Sequence, residues 1–383
     1  MYLTRLSLIP VALFVTVGCG GPQGIALLGG GTHTTETLAF EVIADSDDGL
    51  NVPRDLEINS QSDDELWIVN RGNSGTTILF DFADGDGNPE SNAHSGQPLS
   101  THFLAEPSAL AFGDNGLFAT IHETDDLTQG AVSMGGSPKD FMGPTTWPAD
   151  ADLFEGGHSS HMDMLHNSPN GMGIAWQQDS VYWVFDGYHG SITEYDFGDD
   201  HGPGGADHSD GRIRRFVEGE VEMVDDVPSH MVFDDDDELY IADTGNSRIA
   251  LLDTDSGDEG GSIAPNYDTR SPSGQKHVED ADLETIVDGD NLVDFWTGDA
   301  LDIQLEKPSG IELYDDDELG PLMLVTDNSE DIIFAFDMDG NVVDWVEVEV
   351  EHRGLMGLAV DGHTIYFTDA EDNTVTRMTV NPS

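Results

Sequence analysis

Apolar residues along this chain fall in short runs that stop at Asp, Asn or Gly, and stretches with a helical period are scarce. The fullest run is Glu238-Leu239-Tyr240-Ile241-Ala242-Asp243-Thr244-Gly245-Asn246-Ser247-Arg248-Ile249. It predicts a buried strand, a tight polar turn and a second strand from about Arg248. Upstream lies a short apolar segment, Pro228-Ser229-His230-Met231-Val232-Phe233.

The pair recurs. Opening segments stand at Pro53-Arg54-Asp55-Leu56, Pro107-Ser108-Ala109-Leu110, Gly171-Met172-Gly173-Ile174, Pro228-Ser229-His230-Met231, Pro308-Ser309-Gly310-Ile311 and Leu355-Met356-Gly357-Leu358. The strands that follow are expected at 66–70, 117–122, 181–186, 239–243, 323–327 and 365–369, most ending in Asp or Asn. A further strand often comes next, at 77–82, 191–197, 248–253, 331–337 and 374–380. The openings are spaced by 54, 64, 57, 80 and 47 residues. Each unit holds a few short strands and cannot bury its own apolar face, whereas six units stacked radially can. The expectation is an all-β chain forming a six-bladed β-propeller over residues 36–383, with 36–44 completing the last blade. Long insertions stand at about 124–168, between blades two and three, and at 258–304, within or after blade four.

These residues resemble NHL-repeat propellers, whose blades open on Pro-x-Gly-Ile and carry a Leu-Tyr-Val-Ala-Asp-Thr-Gly-Asn strand and turn. Residues 239–249 match that pattern nearly position for position, and the resemblance covers about residues 50–383. It implies the fold and leaves function open, because such propellers include lyases, lactonases and binding scaffolds.

The N-terminus changes the expected compartment. Arg5 precedes a short apolar stretch over residues 6–17, too short to span a bilayer comfortably. It ends in Thr16-Val17-Gly18-Cys19, which resembles a bacterial lipobox cut before a cysteine that becomes lipidated. Residues 1–18 are therefore expected to be a signal peptide, and 19–35 the lipidated Cys19 with a Gly-rich flexible tether. The mature chain is expected outside the cytoplasm, in the cell envelope or secreted, touching membrane only through this anchor. Cys19 is the only cysteine, so no intramolecular disulfide forms.

Charge narrows the partners. The chain carries 76 Asp and Glu against 13 Lys and Arg, a formal net charge of −63. A folded chain of this size exposes roughly 14,000 Å², which puts one net charge on about every 220 Å². Such a surface suits brine and repels itself in dilute buffer, where screening reaches about 30 Å instead of about 8 Å. The acidity reads as salt adaptation of a monomer. No basic patch exists to neutralise phosphates, so nucleic acid is excluded as a partner.

Candidate chemistry gathers in histidines. His158, His161 and His166 lie with Met162 and Met164 in Gly157-His158-Ser159-Ser160-His161-Met162-Asp163-Met164-Leu165-His166-Asn167-Ser168-Pro169, a set suited to Zn, Cu or Ni, with the thioethers favouring copper. His230 opens blade four where Gly is usual, and Asp55 holds the equivalent place in blade one. With His122 and His189 at the turns of blades two and three, they are expected to face one channel and hold a divalent cation. A second set, His201, Asp207, His208 and Asp210, crowds a Gly-rich loop expected on the opposite face. Asp84, Asp86 and Asn88 resemble the start of a calcium loop, although Ser95 fills its twelfth position. No nucleophile elbow is found, so a serine hydrolase is not supported.

Asp186-Gly187-Tyr188-His189 and the Pro-Ser-His opening are similar to features of peptidylglycine α-amidating lyase, a metal-dependent propeller. That resemblance implies His230 as a metal ligand and Tyr188 as a catalytic base, while Pro308-Ser309-Gly310 departs from it in blade five. Streptogramin-type lyases and gluconolactonase-like propellers stand equally open. The leading expectation is a lipid-anchored propeller that binds a small molecule or protein on its His-bearing channel face, through a Zn, Cu or Ca ion. The alternative is a metal-dependent lyase or lactonase.

Overall fold

The computed structural model describes residues 24–83, 89–95, 104–126, 136–137, 141–154, 161–199, 201–202, 208–263, 275–292, 303–348, 350, 352 and 354–381. After β1 (Leu38–Ala44), blade one is built from β2 (Pro53–Ile58), β3 (Glu65–Asn70), β4 (Gly75–Phe80) and β5 (Glu90–Ser95). Blade two holds β6 (Pro107–Phe112), β7 (Leu117–His122), β8 (Thr145–Pro148) and β9 (Asp163–Met164), and blade three β10 (Gly171–Gln178), β11 (Val181–Asp186), β12 (Ser191–Asp196) and β13 (Arg212–Phe216). Blade four begins with β14 (Met231–Phe233), β15 (Glu238–Asp243) and β16 (Arg248–Asp253). The chain then makes a hairpin, β17 (Asp258–Ser262) and β18 (Lys276–Glu279), and returns to finish blade four with β19 (Leu283–Asp288). Blade five is β20 (Pro308–Asp316), β21 (Gly320–Asp327), β22 (Ile332–Asp337) and β23 (Val342–Glu347), and blade six β24 (Leu355–Asp361), β25 (Thr364–Asp369) and β26 (Thr374–Val380).

The innermost strands β2, β6, β10, β14, β20 and β24 touch one another in turn, and β24 returns to β2. This is a six-bladed β-propeller. β1 pairs antiparallel with β26, from Leu38↔Val380 to Ala44↔Val375, so the first strand of the fold is the outermost strand of the last blade. All six innermost strands begin on one face, here the opening face, and turn back at the other, the far face.

Two stretches read as insertions contain blade strands. Residues 124–168 supply β8 and β9, the outer half of blade two; β8 is only Thr-Thr-Trp-Pro, too short and Pro-capped to stand out as a strand. Residues 258–304 supply β19 and the hairpin β17–β18, which adds to the edge of blade three through Arg214↔Lys276 and Arg215↔His277.

The recurring Asp at the end of the second strand is a turn clamp. Buried Asp243 accepts from Glu222 N (2.9 Å), Arg248 Nε (2.7 Å) and Asn246 Nδ2 (2.9 Å). Asp327 accepts from Glu306 N, Lys307 N and Ser329 N, and Asp369 from Glu371 N and Asp372 N. A carboxylate that gathers backbone donors replaces the ladder the chain abandons at the turn.

Blades seal against one another through large side chains. Trp67 of blade one meets Phe112 and Phe118 of blade two at centroid distances of 5.6 and 5.0 Å. From Gly24 onward the stretch expected as a tether is packed: Ile25, Leu27 and Leu28 are buried in the core shared by blades five and six. Gly31 N donates to Asp344 Oδ2 (2.9 Å), and His33 stacks on Trp345. The glycines around it mask an apolar Ile-Ala-Leu-Leu run.

Candidate metal centre

His230 sits at the hub of the ring, just before β14. Its N–H donates to Ser309 O of blade five (2.9 Å), and its Nε2–H to Ser108 O of blade two (3.3 Å). Nδ1 faces Asp55 Oδ1 of blade one at 3.4 Å. Blades three and six make room with glycine: a Cβ on Gly173 would lie 3.1 Å from His230 Cα, and one on Gly357 3.2 Å from Cε1. His230 thus bears on every blade through its ring or its backbone, with both ring nitrogens facing protein oxygens. Asp55 is fixed in turn, accepting from Leu56 N (2.9 Å) and Leu110 N (3.0 Å). Burial pushes its carboxyl up, and His230 opposes the shift.

The expected channel set therefore does not assemble as a metal site. His122 is buried at the end of β7 with Nε2 3.4 Å from Thr120 Oγ1. His189 gives Nδ1 to the turn-clamping Asp186 Oδ2 (2.7 Å). Neither joins His230 and Asp55 in a metal-capable group among the described residues. Tyr188 is exposed on the opening face, its ring edge-on to His189. Along the channel toward the far face, Glu57 and Glu312 follow. Burial raises both, Glu312 to about 8, with the Asp55 carboxylate adding to each shift.

A different group does assemble. Among the described residues, Asp163, His201 and His208 present ligand atoms that all lie within 4.8 Å of one another. Asp163 is β9's first residue. His201 and His208 come from the loop between β12 and β13. That loop and the one between β8 and β9 are corresponding connections of neighbouring blades, so both lie on the far face. His208 Nδ1 contacts Asp163 Oδ1, which also accepts from Met164 N (2.6 Å). The other carboxylate oxygen behaves differently. Asp163 Oδ2 and His201 Nδ1 are buried, 3.0 Å apart, and neither makes a hydrogen bond. Tetrahedral zinc bonds of about 2.0–2.1 Å leave ligand atoms roughly 3.3 Å apart, close to this separation. Two imidazoles and one carboxylate suit zinc, whereas calcium takes 6–8 oxygens.

Sequence reasoning placed His201 and His208 in one site and the Gly157–Pro169 run in another; the fold joins the two. His161 and His166 are buried beside the centre, His161 edge-on to Trp147 and His166 stacked on Phe141 with its centroid 6.3 Å from His208. Both stand outside the group. Asp210 is also outside it, because it meets the opposite ring nitrogen of His201 (Nε2, 3.3 Å). Asp163 was passed over as the lone carboxylate among imidazoles and thioethers. The signal that would have found it is the equivalence of the two loops, hidden while β8 went unseen. His158, Asp207, Cys19 and the calcium-like Asp84, Asp86 and Asn88 lie outside the described residues.

No family model and no curated protein matches the chain. Solved structures do. An auxiliary nutrient binding protein from Bacteroides thetaiotaomicron is similar over 87% of this chain and 70% of its own, at 10% identity and a TM-score of 0.57. Regucalcin from Agrobacterium tumefaciens, a calcium-binding protein, is similar over 90% of this chain and 94% of its own, at 13% identity and a TM-score of 0.51. A streptogramin B lyase matches 90% of this chain and 98% of its own, at 12% identity and a TM-score of 0.51. At such identities the likeness is one of fold.

Proposed function

We propose that this protein is an extracytoplasmic, lipid-anchored propeller that binds a small molecule or protein partner and holds a divalent cation, zinc by its donor set, between blades two and three. The observation that carries the reading is the pair of buried, unbonded atoms, Asp163 Oδ2 and His201 Nδ1, facing each other at 3.0 Å. A carboxylate oxygen and an imidazole nitrogen that make no hydrogen bond at that distance are both open to a shared cation. The far face also carries a cavity of about 690 Å³ between blades four and five, lined by Phe233, Tyr240, Tyr314 and Met338 and by the carboxylates of Asp234, Asp235 and Asp236. Aromatic walls with carboxylates suit a small ligand carrying positive charge. Similar folds in a nutrient binding protein and a calcium-binding protein are consistent with ligand and cation binding. If Cys19 bears the lipid, the five residues to Gly24 hold the propeller within roughly 17 Å of the bilayer.

Elemental analysis of protein purified in high salt without chelator tests the centre. One equivalent of zinc is expected, lost in Asp163→Asn and His208→Ala and retained in His230→Ala. An unmodified chain that is metal-free and takes up no added zinc overturns the reading.

A further inference from the structure

The centre's His201 has its own support. We propose that Asp210 is the positioning residue of this site: it holds the His201 ring so that Nδ1, and not Nε2, is offered to the ion. This deepens the metal reading above and rests on it.

The two nitrogens of an imidazole point to opposite sides of the ring, so a group bound at one cannot share an ion with the other. Asp163 Oδ2 faces His201 Nδ1 at 3.0 Å, and Asp210 Oδ1 faces Nε2 at 3.3 Å. A carboxylate only accepts, so with an ion between Asp163 Oδ2 and Nδ1 the proton belongs on Nε2, facing Asp210. Nδ1 is buried and makes no hydrogen bond, which leaves it open to the ion. Asp210 is itself held, because Oδ2 accepts from Asp199 N at 3.0 Å. The backbone makes space for it: Gly198 has φ +75°, and a Cβ there would stand 2.7 Å from Asp210 Oδ2. A bound imidazole whose other nitrogen donates to a carboxylate is a better ligand, and loss of such a partner costs 10–100-fold in metal affinity.

The test measures zinc affinity by competition with a chromogenic chelator, and the visible absorption of the cobalt-substituted protein, for the full chain and for Asp210→Asn and Asp210→Glu. Asp210→Asn is expected to bind zinc roughly 10–100-fold more weakly with an altered cobalt spectrum, while the metal-free midpoint of thermal unfolding stays unchanged. Asp210→Glu, which keeps the charged carboxylate, is expected to recover most of the affinity. If the unmodified chain binds zinc and Asp210→Asn matches it in affinity and spectrum, Asp210 has no positioning role and the centre stands without it. A drop in the metal-free midpoint equal to the lost affinity reassigns Asp210 to loop stability and also overturns the proposal. An unmodified chain that binds neither zinc nor cobalt removes the centre and the positioning role together.

Discussion

Asp243 and Asp327 spend both oxygens on turn donors, whereas Asp163 keeps one buried oxygen without a hydrogen bond, facing His201 Nδ1. The same residue type serves the fold in one place and a ligand in another, and only its neighbours tell the two apart. The pattern of the chain identified the turn Asp positions and singled out His201 and His208. It could not pair them with Asp163, because a run of residues does not disclose which loop of the next blade lies against it. Glu312 offers a prediction of its own. Burial, then the Asp55 carboxylate, lift it from 4.5 to about 8. The folded state therefore holds its proton more tightly than the unfolded chain. Its contribution to stability is full below about pH 4 and lost as pH rises through about 8. Glu312→Gln is expected to leave the unfolding midpoint unchanged near pH 4 and to stabilise on the order of 1 kcal/mol at pH 9. Thermal melts at the two pH values check this, and equal shifts at both would contradict it.

Strand and turn signals located most elements because a half-buried strand must alternate or cluster its apolar residues whatever its surroundings. β8 and β9 escaped for the converse reason. They are short, and the sheet they join, not their own composition, makes them strands. The hairpin β17–β18 escaped likewise, since nothing local says it will extend blade three and not blade four. The seam between blades one and two yields a further prediction. Buried Arg54 on β2 gives Nε and Nη2 to Glu123, just past β7, at 3.1 and 2.9 Å. Burial raises the Glu123 carboxyl, and Arg54, with Arg71 behind it, only partly offsets the rise. Arg71 also pairs with Glu123 Oε1, so Arg54→Met leaves the carboxylate one cation and should destabilise by about 1–3 kcal/mol, and the double change Arg54→Met with Glu123→Met should recover most of the loss. Urea denaturation of the three proteins decides it; a double variant no better than the single would point to lost packing instead.

Across the whole molecule, the ring is closed by β1 on β26, and a net charge of −63 opposes the compact state. Raising NaCl from about 10 mM to about 1 M shortens the screening length from about 30 Å to about 3 Å, so the unfolding midpoint should climb by several degrees over that range. A midpoint indifferent to salt would mean that the charges are already offset locally. The radial architecture, the blade count and the acidic surface were legible in the residue order, because repetition, periodicity and composition are properties of the chain wherever it folds. The site was not. His230 bears on all six blades and faces its ring nitrogens to protein oxygens, while His189 serves a turn clamp. The centre at Asp163, His201 and His208 arises where two loops of neighbouring blades meet on the far face. Such contacts depend on how blades stack, a matter of three-dimensional packing that sequence neighbours do not encode.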